Sequence, residues 1–192
     1  MKLNKFLSGS LFVIALSAGA ALLPTAASAD AFGTCPENSG GNTGCRADDA
    51  KMDYCTAYPW PSAWGNQFGP AMINLSTQTD MYEEYAANCQ VHTDIGGYLS
   101  SSPEFPSGLA SDVRGVSICT KKVSASVCDQ GSLVLNTNLL QDTAQRRKTL
   151  CHEIGHFAGL THGSTYGGCM VSGTSTNNTY ASHHVAHINA AY

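Results

Sequence analysis

Apolar and polar positions follow a clear period in only a few stretches of this chain. Lys2 and Lys5 precede an apolar run over residues 11–23, and the small residues Ala27, Ser28 and Ala29 follow it. That run falls short of the roughly 20 residues needed to cross a bilayer. Its layout predicts a secretory signal peptide over residues 1–29, removed after Ala29. No later segment is apolar for long enough to span a membrane. Over residues 30–69 Gly, Asn, Pro and Cys are dense and no period persists, which predicts a disulfide-tied irregular segment. Ala71, Ile73 and Leu75 alternate with Asn74 and Ser76, with Met72 blurring the pattern, and predict a first strand over 71–76. Asp80 with Glu83 three residues on resembles a capping box, and Tyr82, Tyr85, Ala86 and Cys89 then recur at helical spacing, predicting a helix over 80–91. Residues 96–108 are rich in turn formers and predict a loop. Strands are expected again near 113–123 and 132–136. Asp142 and Gln145 repeat the capping signature, and no Gly or Pro follows until Gly155, so a long helix is expected over 143–158. Strands and helices in this order make an α+β fold, and no internal repeat is present.

Length and charge narrow the picture. Cleavage after Ala29 would leave 163 of the 192 residues, one domain spanning 30–192 with enough chain for a real core. The leader carries two of the ten basic residues and none of the fourteen acidic ones, leaving a formal charge of −6. Nothing in that balance suits a nucleic-acid partner. All eight cysteines follow Ala29. An even count in an exported chain predicts four disulfides. No CxxC pair is present to suggest a cysteine zinc site instead. The expected product is a soluble, extracellular monomer with no membrane contact after leader removal.

Residues 152–162 read HEIGHFAGLTH. His152 and His156 lie four apart on the predicted helix, one turn apart on the same face, so both imidazoles can reach one ion. Gly159 can adopt the left-handed conformation that ends a helix, turning the chain so that His162 is delivered from outside it. Three ligands with an open position suit a catalytic Zn²⁺. Glu153, next to the first ligand, can act as general base towards a zinc-bound water that attacks a peptide carbonyl. His183, His184 and His187 form a second cluster with no carboxylate beside it, and surface or packing roles are expected for them. The alternative to a peptidase is a secreted disulfide-rich binding module that keeps zinc only as a structural pin, a role that calls for four protein ligands.

The extended HExxHxxGxxH pattern resembles the zinc signature of the metzincin metallopeptidases. The phrase CHEIGHFAGLTH followed by Cys169-Met170 is similar to small bacterial matrixin-like secreted proteases. The resemblance covers residues 132–171, and more loosely the C-terminal YASHHVAHINAAY as a closing helix. It implies a metzincin-like catalytic domain: a twisted mixed sheet, a long active-site helix and a C-terminal helix. It also implies that His152, His156 and His162 are ligands, Glu153 the base and Met170 the Met-turn floor beneath the zinc, with a protein or peptide substrate lying along an edge strand near 115–123. Ser172 stands where astacin-like members place a tyrosine ligand, so no such ligand is expected, and Cys35 does not sit in a matrixin cysteine-switch motif. If the chain passes beneath the metal as the resemblance implies, Cys151 and Cys169 meet as a disulfide. Pairing of either with Cys119 or Cys128 remains open on the residues alone.

Overall fold

The structure is a computed structural model that describes Cys35 and residues 45–101, 111–162 and 167–192. The expected leader lies outside the described residues. Among the described residues nine elements follow in chain order: β1 (Arg46–Ala47), β2 (Lys51–Thr56), α1 (Ser62–Gln78), β3 (Tyr82–Tyr85), β4 (Ile95–Ser100), β5 (Gly115–Ser124), β6 (Val127–Asn136), α2 (Thr143–Phe157) and α3 (Ser182–Asn189). The strands form one mixed sheet in the order β1-β6-β4-β2-β3, with β5 also on β6. Only the β5–β6 pairing is antiparallel. β1 and β4 take successive stretches of β6, at 127–128 and 131–136, so β5 runs along the opposite side as an outer strand.

The core lies between sheet and helices. Leu133 and Leu135 of β6 and Ile95 of β4 pack with Met72 and Leu75 of α1 and with Leu150 and Ile154 of α2. A sheet with two helices on it and a short helix at the C-terminus is the α+β, metzincin-like arrangement. No helix among the described residues is long and apolar enough to cross a membrane.

Four local expectations are overturned. The strand expected over 71–76 is the C-terminal half of α1. Its buried residues, Trp64, Gln67, Phe68, Ala71, Met72 and Leu75, recur at spacings of three and four, the stripe of an amphipathic helix. Met72 is fully buried whereas Ile73 is 51% exposed, so the apparent alternation was the wrong period. The helix expected over 80–91 is instead β3, a parallel edge strand pairing Tyr82 through Tyr85 with Lys51 through Tyr54 of β2. The Asp80 side chain caps nothing there, and the Cys55–Cys89 disulfide ties the following segment to β2. Within 30–69 the described part forms β1, β2 and the first turns of α1, and residues 96–100 of the expected loop belong to β4. In both places sheet pairing to residues far along the chain, rather than local composition, decides the conformation.

Candidate metal centre

The long helix forms as its caps predict. Asp142 accepts a hydrogen bond from the Gln145 backbone N–H at 2.8 Å, while the Gln145 side chain reaches across to Thr174 O instead of closing the box. At the other end Gly159 has φ 95°, Leu160 N–H donates to Gly155 O at 2.9 Å, and Gly159 N–H donates to His156 O at 3.1 Å. Those two bonds make a Schellman turn, which only a residue tolerant of positive φ closes without strain. The chain reverses there and carries His162 back to the helix.

The rings of His152, His156 and His162 stand 4.7, 4.9 and 5.0 Å apart, centre to centre. One nitrogen from each falls within 4.8 Å of the others. His152 Nδ1 lies 2.8 Å from Cys169 O, and His156 Nδ1 lies 2.7 Å from Leu160 O. A carbonyl can only accept, so both Nδ1 atoms carry protons, and each Nε2 is left with a lone pair. Burial holds His152 and His156 far below the usual imidazole range, His156 at about 4, so both rings are neutral donors. Neutral imidazoles of fixed tautomer, gathered at one point, fit a zinc ion.

Glu153 is 5% exposed and lines the same cavity, a hollow of about 340 Å³. Burial raises its carboxyl to about 7, against the opposing effect of a hydrogen bond from Ser117. Ser117 Oγ lies 2.9 Å from Glu153 Oε2 and 2.7 Å from Glu153 O, linking β5 to α2. Met170 is fully buried against the helix: a β-carbon on Gly155 would collide with its Sδ, so the glycine between His152 and His156 is what admits the methionine. Cys151 and Cys169 are joined by a disulfide. The other pairs are Cys35–Cys45, Cys55–Cys89 and Cys119–Cys128. His183, His184 and His187 lie on α3, His184 buried, and do not gather into a metal-sized group among the described residues.

Sequence reasoning did not single out Ser117, Lys148 or Arg114, all of which line the cavity. Lys148 was recoverable: it precedes His152 by four residues, so helical spacing puts it on the ligand face. Ser117 and Arg114 depend on which strand runs beside the helix, and no local pattern reports that.

Neutral imidazoles aimed at one point, with a carboxyl group that titrates near neutrality at their side, supply what metal-assisted hydrolysis requires. On this fold they define a metallopeptidase. The model of metallo-peptidase family M12 matches residues 69–186, more than half of the chain, and the chain belongs to that family. No curated protein matches it.

Proposed function

We propose that this protein is an exported zinc endopeptidase of the metzincin type, with His152, His156 and His162 as ligands and Glu153 as general base. The observation that carries this reading is the pair of Nδ1–carbonyl bonds, which turn two buried histidines into neutral donors facing His162 beside a buried carboxylate. Zinc held there would supply the Lewis acidity that polarises a peptide carbonyl and acidifies a water molecule. Glu153 takes the proton of the attacking water and delivers it to the leaving amine nitrogen, a double task that suits a carboxyl near pKa 7. The outer strand β5, whose first residues line the cavity, supports an extended peptide paired along its free edge. Met170 forms the floor under the ligand turn. Four disulfides suit an oxidising compartment outside the cytoplasm.

A structural zinc pin is disfavoured because such sites close with four protein ligands, and three converge here among the described residues. The test is the Glu153→Gln variant. It should bind one zinc per chain, as the parent does, and hydrolyse casein at least about 10²-fold more slowly, the scale of general-base catalysis. Equal rates in parent and variant would exclude the mechanism. Full zinc occupancy in His162→Ala would exclude that ligand.

A further inference from the structure

Two cations line the cavity that holds the three histidines and Glu153. Lys148 stands on α2 one turn before His152, and Arg114 immediately precedes β5; Ser172 and Gly173 line the same cavity. Lys148 is only 4% exposed, yet its Nζ donates to a single backbone carbonyl, Gly173 O at 3.3 Å. An ammonium has three protons to place, and a buried one left without a counter-charge is costly. The Nε of Arg114 is buried with no partner. Two other lysines have carboxylate partners: Lys51 pairs with Asp53 and Glu84, and Lys121 with Asp129. Among the described residues no ion pair joins Lys148 or Arg114 to a carboxylate. The acidic neighbours are Glu153, whose charge favours the Lys148 ammonium but lies beyond ion-pair distance, and Asp112, exposed at the rim.

Resting on the peptidase reading, we propose that this cavity is a specificity subsite for an acidic side chain, with Lys148 and Arg114 receiving the carboxylate of an Asp or Glu beside the scissile bond. The position follows from the lining: the same hollow exposes Glu153, His152, His156 and His162, so a side chain that fills it belongs to a residue next to the bond being cut. An incoming carboxylate offers the planar, two-oxygen acceptor that a guanidinium fork matches, with lone pairs left for the ammonium. An apolar side chain would seal both cations from water without a partner, and a basic one would be repelled.

The experiment compares kcat/KM for peptide pairs that differ only in Glu against Gln at each position flanking the cleaved bond. The parent enzyme should prefer Glu at one fixed position by about tenfold or more, the scale of one hydrogen bond to a charged group. In Lys148→Met, whose side chain keeps the length and apolar stem, that ratio should fall towards one while metal analysis still finds zinc. A merely structural lysine would alter rates without altering the ratio. If Lys148→Met does not fold, Arg114→Gln carries the test, and its ratio should drop severalfold. A parent ratio near or below one at every position, or a parent-like ratio in a zinc-loaded variant, overturns the subsite. Absence of any cleavage that Glu153→Gln abolishes overturns the peptidase reading itself, and the subsite with it.

Discussion

Ser117 has one hydroxyl proton and two acceptors within reach, the backbone carbonyl and the carboxylate of Glu153. When the carboxylate is ionised, the hydroxyl can donate to it. When it is protonated, Glu153 can donate to Oγ while the hydroxyl turns to the carbonyl. The serine therefore serves both states that a proton-transferring carboxyl passes through, and its bond to the charged form holds the proton affinity below the level burial alone would set. Ser117 is in this sense a positioning residue. Ser117→Ala should retain zinc and lose about tenfold or less in kcat/KM, and the acidic limb of its pH profile should move to higher pH than the parent's. A profile that keeps the parental limb while the rate falls would point to a packing defect instead.

The helix α2 was legible from end to end because its signals are local: Asp142 at one cap, Gly159 at the other, and histidines spaced by one turn. The sheet was not. α1 hides its stripe behind Gly65, Gly69 and Pro70, and the exposed Ile73 mimics an alternating strand. β3 carries a helix-like run that pairing with β2 overrides. The gathering of His152, His156 and His162 beside Glu153 was thus readable, whereas the β5 contributions to the cavity wall were not, since they depend on strand order. One joint of that sheet carries its own pH response. Asp94, at the entry to β4, accepts the Asp53 N–H at 2.6 Å and so ties β4 to β2. Burial first, and then the neighbouring Asp48, Asp53 and Asp49, raise its carboxyl from 3.8 to about 7. Lys51 is engaged with Asp53 and Glu84, and Lys121 with Asp129, so neither neutralises it. Between pH 3.8 and about 7 the folded chain binds more protons than the unfolded one, so stability declines as pH rises across that window. Partial exposure of Asp94 limits the effect to the order of 1 kcal/mol, or about 2–4 °C in melting temperature. Asp94→Asn keeps an oxygen for the Asp53 N–H and loses the charge. Its melting temperature should match the parent's below pH 3.8 and exceed it by that margin above about pH 7, and coincident curves in both ranges would refute the assignment.

Across the whole molecule, the disulfide between Cys151 and Cys169 ties the fold to the three-histidine cluster, because Cys169 also holds the His152 ring. Cys169 supplies the carbonyl that orients His152, while its own N–H donates to Thr179 O at 2.8 Å. Cys151 offers its carbonyl to the buried Tyr180 hydroxyl at 2.9 Å, and Asn74 of α1 bridges Cys151 Sγ and Asn178 O. One covalent bond therefore fastens α1, the ligand helix and the 169–180 segment around the first proposed zinc ligand. In the chain-entropy model a loop of 18 residues stabilises the fold by roughly 3 kcal/mol. The Cys151→Ser, Cys169→Ser double variant should lose stability on that order. It should also bind zinc about 10–100-fold more weakly, the usual effect of losing a group that orients a metal-bound histidine, although no ligand has been changed. The Cys119–Cys128 bridge, at the β5–β6 hairpin, closes nine residues and touches none of the three histidines, so it serves as the control. Removing it should lower the melting temperature and leave zinc affinity where it was. Calorimetry with and without chelator, alongside competition titration with a chromogenic zinc ligand, separates the two quantities. If both double variants weaken zinc equally, the effect is general softening of the domain; if only the first does, the carbonyl of Cys169 is the route by which the disulfide reaches the metal.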